Sequence, residues 1–307
     1  MEGTELYHSF ADALRCITKG DAEIASQKQF PGGDINSAWT VTMEDGNSFF
    51  VKTNPILDPS FFAVEAHGLS AIAATKSVRT PKVLARGIDH GEWNGRSFSF
   101  LILEKITAPR RIREDIWEHF ADQLAAMHKA DTSEFVTDNG RYGFFENNYI
   151  GRTPQINTPK RMWVEFFRDC RLRPLYEMSS SYFSDTDRHR MDFLLEHLDR
   201  YLEEPDHPSL VHGDMWSGNV IAGSDGAIWL IDPAVYVGSA EVDLAMSGLF
   251  GGYPTAFYRE YREAAGLDPG YKDRRDLYNL YHLLNHTLLF GWEYYGEVSR
   301  ILKHYAG

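Results

Sequence analysis

Short β-rich runs and longer helical stripes divide this chain unevenly. Residues 23–30, 38–43 and 48–52 read as strands in quick succession, and 83–87 and 98–103 as two more. A helix is expected up to about residue 20. Another is expected over 58–75, with Asp58 as N-cap and Pro59 as its first residue. Beyond residue 105 the period changes. Ile116, Phe120, Leu124 and Met127 mark one face of a helix, and 162–175, 186–202, 254–265 and 274–295 are further helix candidates. The pattern predicts an α+β chain of two lobes: a strand-rich 1–104, and a larger, mainly helical 105–307.

Two Asp-Gly pairs fix expected registers. Asp-Gly between β-rich runs favours a two-residue type I′ turn, which requires positive φ at both central residues. Centred on Asp45-Gly46, such a turn sets Lys52 opposite Trp39. Centred on Asp225-Gly226, it sets Ser224 opposite Ala227, Ala222 opposite Trp229, and Asn219 opposite Asp232. Opposed residues lie roughly 5 Å apart at Cβ, so Asn219 and Asp232 are expected to share a metal site.

The candidate chemistry sits beside these hairpins. His212-Gly213-Asp214-Met215-Trp216-Ser217-Gly218-Asn219, then Ile231-Asp232-Pro233, reads as a phosphoryl-transfer set. Asp214 is the candidate base, Asn219 and Asp232 supply the hard oxygens Mg²⁺ prefers, and His212 braces the loop. As single residues, Asp214, Asn219 and Asp232 read equally well as turn or strand-end residues. Upstream, Gly32 and Gly33 in Pro31-Gly32-Gly33-Asp34-Ile35-Asn36 would let backbone N–H groups approach phosphates. Lys52, on the strand after that loop, would grip the α- and β-phosphates of ATP; the competing reading is a solvated edge lysine. Glu65 lies in line with Phe62, Leu69 and Ile72 on an otherwise apolar helix face. A carboxylate there needs a partner, and Lys52 is the obvious one. The alternative is a rim glutamate favoured by the helix dipole.

Bulk numbers narrow the partners. A chain of 307 residues with net charge −13 argues against a nucleic-acid groove or an anionic membrane surface as the main partner, while a local lysine, backbone amides and Mg²⁺ can still offset the charge of ATP. Cys16 and Cys170 are too few for a disulfide framework or a zinc site, and no targeting or membrane-spanning segment is evident, so the cytoplasm is the expected compartment. A monomer is expected.

The motifs together resemble the fructosamine-3-kinase (ketosamine kinase) family, within the larger group of aminoglycoside and choline kinases. The matching residues are Gly-Gly-Asp-Ile-Asn at 32–36, Phe49 to Asn54, Glu65 to Leu69, Asn148-Tyr149-Ile150-Gly151 with Thr153-Pro154-Gln155, the 212–219 loop, Asp232-Pro233-Ala234, and Glu241 to Met246. Trp-Ser-Gly within the loop and Asp-Pro-Ala downstream are the more specific. The resemblance implies a bilobal protein-kinase-like fold. It also implies ATP-dependent phosphorylation of the 3-hydroxyl of a ribulosamine or fructosamine, free or on a protein lysine, with later release of the amine. It makes Lys52 and Glu65 an ATP-anchoring pair, Asp243 a brace for the catalytic loop and Trp216 a surface near the sugar. The kinase analogy gives the adenine edge to the backbone at Glu104 to Ile106. Many eukaryotic members carry a regulatory cysteine where Asp34 stands, so the resemblance gives no support for a thiol switch. The alternatives are an aminoglycoside, choline or homoserine kinase, or a nucleotide-binding pseudokinase.

Overall fold

The computed structural model describes residues 6–20, 23–30, 36–93 and 95–307. Gly32, Gly33 and Asp34 of the expected glycine loop lie outside them. The chain divides into two compact units: Met1–Arg113 with Ile221–Asp232, and Glu114–Val220 with Pro233–Gly307. This places 105–113 and 221–232 with the strand-rich unit, whereas the sequence pattern put both in the second lobe.

The first unit contains β1 (Leu6–Tyr7), α1 (Phe10–Thr18), β2 (Ile24–Phe30), β3 (Ser37–Met43), β4 (Ser48–Asn54), α2 (Ala63–Ala74), β5 (Val83–His90) and β6 (Ser97–Glu104). The strands form one sheet in the order β1-β5-β6-β4-β3-β2, antiparallel except where β1 meets β5. Successive side chains on a strand point to opposite faces, and this sheet uses both. Phe49, Val51, Phe98, Phe100 and Ile102 pack with Phe10 and Leu14 of α1. Leu101 and Leu103, with Phe50, pack with Phe62, Ala66 and Leu69 at α2. Lys52 follows the parity of Phe50, so it points toward α2.

The first helix turn after β4 differs from expectation. Pro59 to Phe62 form a turn, and α2 starts at Ala63. Asp58 Oδ1 accepts hydrogen bonds from Ser60 N–H and Oγ–H, at 2.8 and 2.7 Å. The expected cap therefore closes a local turn ahead of the helix.

Both Asp-Gly hairpins differ from expectation by one residue, for one reason. In the first, Gly46 N–H donates to Met43 O and Met43 N–H to Asn47 O, giving a three-residue loop of Glu44, Asp45 and Gly46. In the second, Gly226 N–H donates to Gly223 O and Gly223 N–H to Ala227 O. Gly46 and Gly226 have φ of +89° and +79°, whereas neither Asp45 nor Asp225 is among the positive-φ residues. Each aspartate instead accepts the backbone N–H two residues on, at 2.9 and 3.2 Å. That side-chain bond holds the aspartate in an ordinary turn and leaves only the glycine left-handed, as in a type I turn with a G1 bulge. Lys52 therefore faces Ala38 rather than Trp39. Gly223, not Ser224, faces Ala227, so the register behind the expected opposition of Asn219 and Asp232 is offset by one.

The second unit begins with α3 (Ile116–His128), the β7–β8 hairpin (Asn148–Ile150, Thr153–Gln155), α4 (Trp163–Phe167), α5 (Arg173–Met178), α6 (Asp185–Glu196) and β9 (Ser209–Val211). The second Asp-Gly hairpin is formed by β10 (Val220–Ala222) and β11 (Ile228–Leu230). It is held on the first unit by Leu230 N–H to Arg79 O and Ser224 N–H to Thr107 O, both 2.8 Å. Then follow β12 (Tyr236–Gly238), antiparallel to β9, and α7 (Glu241–Leu249), α8 (Thr255–Ala265), α9 (Tyr271–Phe290) and α10 (Trp292–Ala306). The helix expected over 274–295 is two helices, because Gly291 takes φ +98° and its N–H closes α9 on Thr287 O. The helix expected over 162–175 passes through a π-helical turn, Arg168–Leu172, before Pro174 opens the next.

The buried face of α9 carries His282, 2% exposed. Burial pushes its pKa down to about 3, helped by His286 and then Arg171, against the pull of Asp243. The unfolded chain binds a proton here below about pH 6.5 and the folded chain does not, so stability falls as pH drops from 6.5 toward 3. Denaturant midpoints should show this residue costing about 2 kcal/mol at pH 5 relative to pH 7, a loss that His282→Gln removes. Equal pH dependence in parent and variant would contradict it.

Candidate active site

The first unit assembles three of the residues singled out by sequence. Lys52, 7% exposed, donates from Nζ to Glu65 Oε1 at 2.7 Å and to Asp232 Oδ1 at 2.5 Å. The edge-lysine and rim-glutamate readings are thus excluded. Burial would lower the lysine's pKa, but the attraction of Asp232 and then Glu65 outweighs it and holds the ammonium charged. Glu65 is raised by burial first and by Asp232, with Lys52 opposing. The Asp232 side chain stays about half exposed, and its backbone sits at φ +55°, a left-handed conformation that aspartate tolerates better than most residues. Glu104 N–H is bonded to Lys82 O, and Glu104 Oε2 accepts Lys82 N–H at 3.2 Å. Of the expected adenine edge, Lys105 and Ile106 lie in the irregular segment after β6.

The second unit holds the 212–219 loop, and Asp243 organises it. This fully buried carboxylate accepts His212 N–H at 2.7 Å and Gly213 N–H at 2.9 Å, and lies 3.1 Å from His128 Nε2. The other imidazole nitrogen, Nδ1, is 2.7 Å from Tyr261 OH. Burial alone would raise the pKa of Asp243, but these bonds, with His128 foremost, keep it below the usual carboxylate range. His212, itself fully buried, accepts Asp214 N–H on Nδ1 at 3.3 Å. Asn219 Nδ2 donates to Asp214 O at 2.8 Å and to Asp214 Oδ2 at 3.1 Å, which leaves Asn219 Oδ1 as an acceptor.

Two glycines make the loop possible. Gly213 has φ +81°, and a Cβ there would stand 2.1 Å from Ala234 O. At Gly218 a Cβ would meet the Trp216 ring at 2.2 Å, so the indole lies over the glycine while 42% of the residue stays exposed.

A buried network unforeseen from sequence supports the same backbone. Arg171 is fully buried, and among the described residues no carboxylate pairs with it. Its guanidinium donates to Ile156 O, Cys170 O and Asn157 Oδ1 and lies 3.8 Å from the Tyr236 ring centroid. Cys170 O is the carbonyl to which residue 174 would donate in an α-helix, and Pro174 has no N–H to give. Asn157 continues to Asn148, which shares Gln155 Nε2; Gln155 reaches Ala234 O and Asn148 Nδ2 reaches Val235 O. Ala234 N–H closes the path on His212 O at 2.9 Å. The Asn-Tyr-Ile-Gly and Thr-Pro-Gln motifs, noted only as a resemblance, thus hold the segment that flanks the 212–214 loop. No signal in the sequence marked Arg171, His128 or Tyr261.

The fructosamine kinase family model matches residues 7–306 of this chain. The chain belongs to the fructosamine kinase family. A probable ketoamine kinase of Synechocystis sp. is 35% identical over 97% of this chain and 96% of its own. The chloroplastic protein-ribulosamine 3-kinase of Oryza sativa subsp. indica is 38% identical over 94% of this chain and 81% of its own. A crystal structure given the fructosamine-3-kinase name, from Thermobifida fusca YX-ER1, superposes with TM-score 0.81 at 30% identity, covering 97% of this chain and 98% of that one. Aminoglycoside phosphotransferase APH(2'')-Ib, at TM-score 0.58 and 14% identity over 97% of this chain and 98% of its own, shares the kinase-like fold. As a fructosamine kinase the chain is an ATP-dependent phosphotransferase. No helix among its described residues is long and apolar enough to cross a membrane.

In this kinase, removing the Asp243 carboxylate would leave two buried N–H groups and His128 without their acceptor. Asp243→Ala should cost at least about 3 kcal/mol in urea unfolding, and Asp243→Asn less. A midpoint within error of the parent would show that the loop is held by other contacts.

Proposed function

We propose that this chain transfers the γ-phosphoryl group of ATP to the 3-hydroxyl of a ketoamine sugar, a ribulosamine or fructosamine, free or attached to a protein lysine. The 3-phosphate then decomposes and frees the amine, so the activity is deglycating repair. The observation that carries the reading is the likeness over 94% of the chain to a protein named for ribulosamine 3-kinase activity. The Lys52, Glu65, Asp214, Asn219 and Asp232 set is complete, as an active kinase needs. Net charge −13 and the absence of a spanning helix among the described residues fit small ketoamines or glycated proteins as partners, in a cytoplasmic setting.

Each role follows from the chemistry of its group. Asp214, with one oxygen held by Asn219, accepts the proton of the attacking hydroxyl. Lys52, kept charged and aimed by Glu65, takes phosphate oxygens in place of Asp232, its present second partner. That exchange frees the Asp232 carboxylate. Asp232 and Asn219 Oδ1 are hard oxygens of the kind Mg²⁺ takes alongside phosphate and water, so these two would hold the ion; when bound, it offsets charge on the phosphates. Gly32 and Gly33 contribute backbone N–H groups to the phosphates, and Glu104 to Ile106 the adenine edge. Trp216 offers an exposed indole face to the sugar, and His212 and Asp243 hold the loop. Phosphoryl transfer needs alignment more than covalent help, so these contacts carry most of the catalysis.

Asp214→Asn should lower turnover by about 10² to 10⁴ while ATP binding survives, a contrast that a nucleotide-binding assay beside steady-state kinetics would resolve. Turnover within threefold of the parent would remove Asp214 from the role. Asp232→Ala should abolish activity and flatten the Mg²⁺ dependence of nucleotide binding; an unchanged titration would assign the metal elsewhere. An ADP-release assay across ribulosyllysine, fructosyllysine, choline and kanamycin tests the substrate. Release with choline or kanamycin alone would leave only the kinase fold standing.

A further inference from the structure

Next to the 212–219 loop, the second unit exposes a cluster of rings that no step above uses. Phe250, at the end of α7, is 43% exposed, and Phe290, at the end of α9, 48%. Between them stands His286, its ring centroid 4.8 Å from Phe250, 5.4 Å from Phe290 and 5.0 Å from Tyr294. The cluster is joined to the loop through the segment after Phe250. Gly251 and Gly252 have φ of +75° and +115°, and a Cβ on Gly252 would stand 2.5 Å from Ser217 Cβ. Ser217 directly follows Trp216, so the segment that leaves Phe250 runs against the residue next to the exposed indole.

The imidazole at the centre has a defined polarity. His286 Nδ1 lies 2.8 Å from His282 O, a carbonyl that can only accept, so Nδ1 carries the hydrogen. Nε2 is then a lone-pair acceptor whenever the ring is neutral. Burial, which outweighs the effect of that carbonyl, holds the His286 pKa below the usual histidine range. A neutral acceptor among aromatic faces suits a cation that also carries N–H donors and an alkyl arm. An anion finds no imidazole donor there, since Nδ1–H is already committed to His282 O. The charge of −13 on the chain attracts cations in the same sense.

We infer that Phe250, His286, Phe290 and Tyr294 form the subsite for the amine side of the substrate: the rings take the protonated secondary ammonium and the first methylenes of its carrier, and His286 Nε2 accepts an ammonium N–H. The inference rests on the proposed ketoamine activity and deepens it. The sugar is read at Trp216 and the carrier amine at the ring cluster, so one enzyme accepts different carriers through the linkage they share.

The test compares two substrates on the full-length enzyme: ribulosyllysine, whose linking nitrogen is protonated, and its N-acetylated analogue, in which that nitrogen is a neutral amide. The parent should favour the charged substrate by about tenfold or more in KM. Phe250→Ala with Phe290→Ala removes two exposed rings and so leaves the core intact. It should raise KM for ribulosyllysine about tenfold, with kcat within threefold and KM for ATP unchanged. His286→Ala should remove most of the preference for the charged substrate. Equal KM for both substrates in the parent, or an unchanged KM in the double variant, would overturn the subsite. Turnover of neither ketoamine by the parent would instead overturn the proposed function, and the subsite with it.

Discussion

A carboxylate with no access to water has to be surrounded by donors, and Asp243 imposes that requirement on much of the second unit. Its oxygens are occupied by two successive backbone N–H groups of the 212–214 turn and by an imidazole from α3. A buried charge left short of one donor costs several kcal/mol, so α3, α7 and the loop are fixed to one another by a single ion. His128 is positioned in turn by Tyr261 of α8. The loop that carries Asp214 is therefore set by helices far from it in sequence.

The first unit applies the same physics with the sign reversed. Lys52 is buried on the α2 face of the sheet and stays charged only because two carboxylates meet it. One comes from the neighbouring helix and the other from the Asp-Gly hairpin almost two hundred residues later. The hairpin reaches it by joining the first unit through Arg79 and Thr107. Arg171 is a third case, with no counter-ion among the described residues. Carbonyls, an amide oxygen and a tyrosine face hold its guanidinium, and the same amides continue to the backbone beside His212.

The two hairpins show how local chemistry can be read correctly and still give the wrong register. Asp-Gly does turn the chain at both places. The aspartate side chain, however, bonds the N–H two residues on and keeps its own residue out of the left-handed region, so the loop has three residues. Two-residue and three-residue loops differ by one in every pairing that follows. Glu65 still meets Lys52, because strand parity and the helix face decided that contact, not the turn.

The sequence by itself determined the main strands of the first unit, most of the long helices, the buried face of α2 with Glu65 on it, and the motif that marks a phosphoryl-transfer loop. These rest on spacing, which is local and periodic. It also carried the family, because specific residues at specific intervals are a signature that needs no coordinates. Tertiary structure alone decided that α2 starts after a separate turn, that Gly291 splits the last long helix, and that residues 221–232 join the first unit. It alone brought His128 to Asp243 and Tyr261, Arg171 to Tyr236, and Phe250 to His286. His128 lies 115 positions from Asp243 and 133 from Tyr261, and Phe250 reaches His286 from the end of another helix; no periodicity links residues that meet only after the chain has packed.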